Sequence, residues 1–481
     1  MKINHQKAYL VLSVFLGFLL FVLLLVPGEA MAGNYLREVR YSSEVDNFRL
    51  VFEFEQEPEY DLFFLASPPR IVIHLEETEL DQVAEEWNFN EYSVEKLRFG
   101  RWGDSLRVVI DLTNNYTGYE SYLFSDPHRL VIDVRRQLEL ESDFKVRITR
   151  GLEYSQIRQR GMIGPLLVNV LKAELGPNTG LMLQPVLAQE RITGGEKVTT
   201  MSARYQALAA VNGTYFDGRY SPLGLMVIDS MLVSEPINQR TALGLTAEGN
   251  ILMDRVDVSI ELATGSSLVE VDGVNRPPGQ DEIVLYNHKY ALQTSGQAEI
   301  EYYIEDDIIT DFSTDTGGII PWNGYVLAAR GTGVKSLREE LEPGEAVSLR
   351  FNYSPDHWNQ EEVVYALGGG PRLVSDGQIQ VTGLEEKFRS DITDGYAPRT
   401  GLGITADGEV LIATVSGRSD YSKGVTLEEL AQLMIRLGAV EAMNLDGGGS
   451  TTMVLQDRIY NLPSEGEESK VSNALLILTD R

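Results

Sequence analysis

Cysteine is absent from this 481-residue chain. That excludes disulfides, thiol nucleophiles, Cys-based zinc sites and a lipidated cysteine after a leader, and leaves stability to the packed cores alone. Basic residues are scarce: 41 Lys and Arg stand against 71 Asp and Glu, a formal net charge of −30. Neutralising a phosphate backbone takes clustered cations, so DNA and RNA are excluded as expected partners. Histidine is limited to 5 residues scattered through the chain, which gives no support to a His-based triad. His74 and His128 stand singly in strand patterns, where a polar face residue is expected rather than a metal ligand. No Lys follows the glycine-rich run near the C-terminus, and no Gly-x-Gly-x-x-Gly opens a helix, so nucleotide hydrolysis is not expected either.

What is present begins with an export signal. Lys2 and Lys7 precede an uncharged run over 8–26, Pro27 and Gly28 break it, and Ala30-Met31-Ala32 has the small-x-small form of a cleavage site. The run is also just long enough to span a bilayer, so 1–32 reads as a signal peptide or an uncleaved membrane anchor, the only expected membrane contact. Either way, the rest of the chain is expected outside the cytoplasm of a bacterial cell, extracellular or bound to the envelope.

Over 33–142 the pattern is strand upon strand. "DNFRLVFEF" followed by "SPPRIVIHL" is echoed by "DSLRVVIDL" followed by "SDPHRLVIDV", which predicts two similar β-units stacked in a small all-β sandwich. This rhythm resembles the AMIN domains found at the front of bacterial envelope enzymes. The resemblance implies contact with peptidoglycan or another wall polymer.

Beyond a charged junction, 146–481 mixes glycine-rich strands with helical patterns. A helix is expected over 196–206. A second follows "GVTLEELAQLMIRLG", where Thr426 caps with Glu429, Leu427, Leu430, Met434 and Leu437 share one face, and Gly438 ends it. Each helix precedes an apolar strand and a polar glycine turn, so the expected class is α+β, a mixed sheet with helices. "RTALGLTAEGNILM" and "RTGLGITADGEVLI" echo each other as hairpins with Glu-Gly and Asp-Gly turns. Between them, about 256–353 reads as a β-rich insertion that contains His288 and His357.

The run "NLDGGGSTTM" needs a local reason, because glycine loses the most conformational entropy on folding. With strand geometry, Asn444 and Asp446 would share a face. Gly447, Gly448 and Gly449 would then offer consecutive amides as an anion nest, with the hydroxyls of Ser450, Thr451 and Thr452 beside it. The competing reading is a tight turn in which the Asp only caps amides.

Five segments, "AAVNGTYFD", "ALGGGPRLVSDG", "RTGLGITADG", "SGRSDYSKGVTLEELAQLM" and "AMNLDGGGSTTMV", together resemble the phosphodiester glycosidase family, in family order. The resemblance implies hydrolysis of a sugar-1-phosphodiester of the GlcNAc-1-phosphodiester type, in a cell-envelope or exopolysaccharide glycan. A phosphate monoester is a good leaving group, so one carboxylate and an anion pocket would serve where ordinary glycosidases need two carboxyls. On that basis Asp446 is the expected central carboxylate. Asn444 and Asn212 are expected to point into the site, with Asn212 on a sugar hydroxyl, and Asp217 is a possible second carboxylate. Arg399 is the expected phosphate clamp, aided by the glycine amides and the hydroxyls of 450–452. Arg372 and Arg418 are further candidates for anion contact, and Tyr215, Phe216 and Tyr220 for a sugar floor. No cofactor is required by these residues; Asp-rich loops leave Ca²⁺ open, and no metal ligands are assigned. A non-catalytic wall- or polysaccharide-binding protein with an anion pocket is the alternative expectation.

Overall fold

The computed structural model describes residues 33–43, 47–66, 68–89, 93–113, 116–136, 142–161, 164–265 and 267–479. The leader expected over 1–32 lies outside them. No helix among the described residues is long and apolar enough to cross a membrane. The chain divides into two units, Met1–Leu138 and Glu139–Arg481.

The first unit is a sandwich of two five-stranded sheets. The echoed segments do not form two separate stacked units; they interleave. Asn47–Phe54, from the first copy, pairs with His128–Arg136, from the second, at the centre of one sheet. Pro69–Leu75 and Ser105–Leu112 pair in the same way in the other. Each sheet therefore takes one central strand from each copy, and neither copy closes a core without the other. Strict alternation puts Phe48, Leu50, Phe52 and Phe54 inward against Ile71, Ile73, Val108 and Ile110. The outer faces keep the same quasi-symmetry. Asp133 accepts a two-point pair from Arg49, and at the corresponding place His74 accepts a hydrogen bond from Arg107 at 2.8 Å. His74 is thus held as a neutral acceptor, with burial and the neighbouring Arg107 charge lowering its pKa.

The second unit corrects the expected class. The described structure is 52% strand and 10% helix, so the unit is predominantly β rather than α+β. The two expected helices are present but short, Val198–Tyr205 and Leu427–Arg436, the latter with the full Thr426/Glu429 capping box, while Thr332–Glu340 and Ser390–Thr393 are helices the sequence reading did not expect, the first of them inside the segment read as a β-rich insertion. The strands outnumber them because many are buried on both faces. Arg399–Thr405 and Val410–Val415 are buried at every position, which removes the period-two signal that exposes a strand in sequence.

An eight-stranded sheet carries Val410–Val415, Arg399–Thr405, Ala439–Asn444 and Arg372–Ser375 as successive neighbours. A five-stranded sheet centres on Asn473–Thr479 and Ala209–Asn212, and another on Val363–Gly368 beside Thr241–Thr246. All three contribute to one core that includes Ala209, Val211, Leu243, Leu367, Leu402, Met443 and Leu475. The helix Leu427–Arg436 lies directly on Gly401 and Gly403: a Cβ on Gly403 would come within 2.8 Å of the Met434 side chain. The segment expected as an insertion leaves and re-enters side by side, since Asp257–Ala263 pairs antiparallel with Ser348–Ser354.

The two echoed hairpins have the expected form and sit in different sheets. Thr241–Thr246 pairs with Val363–Gly368, and Arg399–Thr405 pairs with Ala439–Asn444. In each case an Arg-Thr strand start lies beside the end of the strand that runs into a triple glycine, "GGG" at 368–370 and at 447–449.

Candidate active site

Strand ends converge where Ala209–Asn212, Ala439–Asn444 and the start of Arg399–Thr405 meet. Backbone bonds lock them together: Leu445 N–H donates to Thr400 O at 2.8 Å, and Asp446 N–H to Gly213 O at 3.1 Å. Asn212 is the brace. Its Nδ2 donates to Asp446 O at 2.6 Å, and its Oδ1 accepts from Thr400 Oγ1 at 2.8 Å and from Thr452 N–H at 3.1 Å. Being 0% exposed with both ends of its amide engaged, Asn212 has nothing to offer a sugar hydroxyl. It is a positioning residue for the loop that carries Asp446.

Asn444 is likewise 0% exposed. Its Nδ2 donates to the Tyr215 hydroxyl at 2.7 Å, which itself donates to Gly370 O at 2.8 Å. Asn444 Oδ1 has no hydrogen-bond partner, nor do the buried hydroxyls of Thr214, Thr451 and Thr452. Buried polar atoms are costly when unpaired, so several around this loop have capacity for a ligand or water.

The triple glycine answers to the protein's own packing. Gly447 N–H donates to Asp446 Oδ1 at 2.9 Å and Gly448 N–H to Pro398 O at 2.8 Å. Two of the three amides expected to cradle phosphate are therefore committed within the protein. The run is a 3₁₀ turn, Gly448–Ser450, rather than an open nest. Side chains are excluded here because a Cβ on Gly447 would meet Pro398 O at 2.8 Å and one on Gly449 would meet the Glu465 carboxylate at 3.0 Å, while Gly448 has φ +61°.

Asp446 is only partly covered, yet its carboxyl sits deep enough that burial pushes its pKa up to about 6, against the opposing hydrogen bonds from Ser450 and the Gly447 amide. Tyr215, at 8% exposure, is the group on which the neighbouring charges converge. Burial raises its pKa, the Asp446 charge adds to that, and Arg399 and Arg240 oppose it.

The arginines separate into different roles. Arg399 is 3% exposed and donates to Ile392 O at 2.8 Å, Gly395 O at 3.2 Å and Val425 O at 3.4 Å. Its fork is filled by carbonyls, so it cannot be the free clamp expected of it; burial lowers its pKa, and its charge still faces Tyr215. Arg418 is exposed, with its guanidinium against Gly448. Arg372 is a structural ion pair with Glu441 at 3.0 Å that also donates to Ser375 Oγ and Met253 O, which removes it from the anion-binding candidates. Asp217 is removed as a second carboxylate: its Oδ1 accepts the amides of Arg219 at 2.8 Å and Ser221 at 2.9 Å, closing a turn. Phe216 and Tyr220 stack on each other at 5.1 Å rather than lining a floor.

Three residues near Tyr215 were not singled out in the sequence. Phe388 packs on its ring at 5.3 Å, Arg240 lies 3.9 Å over Phe388, and the fully buried Glu386 binds Thr241. The signal for Arg240 was available in the echoed Arg-Thr, since Arg399 occupies the matching position. Among the described residues no group of three or more Asp, Glu and His side chains gathers as a metal site would require.

Residues 298–478 match the family model described as phosphodiester glycosidase, and residues 38–136 match the AMIN domain model. The chain is 30% identical over 109 residues to the N-acetylglucosamine-1-phosphodiester α-N-acetylglucosaminidases of Bos taurus and Homo sapiens, covering 21% of this chain and 20% of theirs. It is 38% identical over 80 residues to the SPbeta prophage-derived protein YomE of Bacillus subtilis, covering 17% of this chain and 12% of that one. The chain thus spans a fifth or less of the length of these relatives. A protein from Synechocystis shares the fold with a TM-score of 0.60 at 22% identity, over 92% of this chain and 80% of its own. One from Burkholderia pseudomallei K96243 does so with a TM-score of 0.54 at 19% identity, over 88% and 97%. Residues 298–478 accordingly carry a phosphodiester glycosidase domain, and residues 38–136 an AMIN domain.

Proposed function

We propose that the protein is an exported hydrolase that cleaves a sugar-1-phosphodiester bond of the GlcNAc-1-phosphodiester type in an envelope or extracellular glycan. In this reading the AMIN domain keeps it near peptidoglycan or a related wall polymer. The observation that carries the reading is Asp446: a carboxyl whose pKa burial raises to about 6, presented at converging strand ends beside Tyr215, on which the charges of Arg399 and Arg240 also bear, with Arg418 against the neighbouring Gly448. None of those three arginines forms an ion pair with a carboxylate among the described residues, though the charges of Glu386 and Glu428 bear on Arg240 and Arg399.

Asp446, ionised above its pKa, takes a proton from water as that water attacks the anomeric carbon. The C1–O bond breaks, its electrons leave with the phosphate monoester, and the sugar is released with a new hydroxyl. Positive charge developing at the anomeric centre is stabilised by the same carboxylate, and negative charge on the departing phosphate by Arg240 and Arg418. The role needs no metal, so turnover is expected to survive a chelator.

The test is release of free GlcNAc from a GlcNAc-1-phosphodiester by the purified exported chain in ¹⁸O water, followed by mass spectrometry. Label is expected in the sugar and not in the phosphate, and Asp446→Asn is expected to abolish turnover while remaining folded. Label in the phosphate would overturn the bond assignment, and undiminished turnover by Asp446→Asn would overturn the role of Asp446.

A further inference from the structure

The echoed hairpins place two arginines at corresponding strand starts, and the copies have diverged in how each guanidinium is used. Arg399 is enclosed by backbone carbonyls. Arg240 is not. Its backbone closes a turn with Ile237 and receives Val256 N–H, whereas its side chain lies over Phe388, with Cζ 3.9 Å from the ring centroid and 5.7 Å from that of Tyr215. The residue is half-buried, its Nε is fully shielded without a hydrogen-bond partner, and no carboxylate among the described residues pairs with it. The nearby acid is Glu386, which cannot supply the counter-charge geometry. Its oxygens accept Thr241 N–H at 2.9 Å, Thr241 Oγ1 at 2.8 Å, Arg372 N–H at 2.9 Å and the Thr382 hydroxyl.

A half-buried cation with an unmet donor and no carboxylate in direct contact is an expensive arrangement unless something anionic completes it. A guanidinium held over an aromatic face still has donors for an oxyanion, a contact in which arginine outperforms lysine. Burial lowers its pKa against the opposing charges of Tyr215 and Glu386. The glycine amides expected to do this work are already engaged at Gly447 and Gly448.

We infer that Arg240, held on Phe388 beside Tyr215, is the residue that binds the phosphoryl group of the ligand. The name of the ligand, a sugar-1-phosphodiester, rests on the function proposed above; the oxyanion chemistry of Arg240 does not. The experiment therefore reads binding apart from turnover. Inorganic phosphate and glucosamine-1-phosphate are titrated by calorimetry into the full exported chain and into Arg240→Gln, Arg240→Lys and Arg418→Gln.

Both probes are expected to bind the parent chain, and Arg240→Gln to weaken them by roughly 10- to 100-fold, the worth of a charge-assisted hydrogen bond. Arg240→Lys, which keeps the charge but not the fork, is expected to fall between, and serves if the Gln variant does not fold. With a phosphodiester substrate the loss is expected mainly in KM, and an uncharged aryl glycoside is expected to be affected less. The proposal is overturned if neither probe binds the parent chain, if folded Arg240 variants bind as tightly as the parent, or if binding is lost in Arg418→Gln alone. Phosphate binding that depends on Arg240 without any sugar release would retain this inference and sink the glycosidase reading.

Discussion

Asp446 concentrates the residue-scale consequences. Its pKa stands at about 6 in the folded chain, above the ordinary carboxyl value of 3.8, because burial disfavours the charged form. The folded state therefore holds its proton more tightly than the unfolded state between those two values, so stability falls as pH rises through that window and stays lower above it. A shift of about two units corresponds to at most about 3 kcal/mol, reduced here because the residue is partly open to solvent. Asp446→Asn is accordingly expected to raise the unfolding midpoint at pH 7.5, with the gap closing toward pH 4. In the parent enzyme the same ionisation is expected as an acid limb in kcat/KM near pH 6. A variant no more stable than the parent at pH 7.5 would contradict the burial assigned to this carboxylate. Asp446 and its neighbours were legible in the sequence because a glycine run with framing polar residues is rare in a strand pattern. The filled coordination of Asn212, Arg399 and Asp217 was not, since the carbonyls and amides that occupy them come from other segments, such as Ile392 and Val425 for Arg399.

At the scale of elements, the 3₁₀ turn Gly448–Ser450 determines where Asp446 points. Gly448 has φ +61° and has Arg418 nitrogen 3.4 Å from the position a Cβ would take. Gly448→Ala is expected to cost about 1 to 2 kcal/mol through the left-handed backbone alone, and to lower kcat by tilting the loop on which the carboxylate rides. Chemical denaturation alongside single-turnover kinetics checks both; a loss of stability with kcat intact would show that the turn and the carboxylate are not coupled. Helices were readable at this scale because caps and a 3.6-residue face are local signals, as with Thr426, Glu429 and Leu430. The strands that dominate the second unit were harder to read. Arg399–Thr405 is buried throughout, and its Gly401 and Gly403 admit a helix, so neither alternation nor β-propensity marks it, and only its echo of 240–253 and its Asp-Gly turn made it readable as a hairpin strand. The interleaving of the first unit was also hidden: a repeat in sequence announces two similar pieces but not which sheet each strand joins.

For the whole molecule, the absence of cysteine leaves the separately built hydrophobic cores of two units to carry stability. The first draws on residues between Leu36 and Val134, and its two central strand pairs each need both copies of the repeat. One core of the second draws on residues from Leu152 to Ile477, so the ends of that unit are joined in one packing arrangement, and another is built from residues between Leu225 and Ala366. Units with their own cores unfold as separate cooperative transitions unless a large apolar interface couples them. Calorimetry of the full chain is therefore expected to give two transitions, unchanged by reductant. Ile110→Ala removes a side chain of 0% exposure in the first core and is expected to cost about 2 to 5 kcal/mol in one transition only. Thr426→Ala removes half of the capping box and is expected to cost about 1 kcal/mol in the other. If either substitution moved both transitions together, the two units would share one cooperative fold, and the AMIN domain would be part of the enzyme's stability rather than an attachment to it.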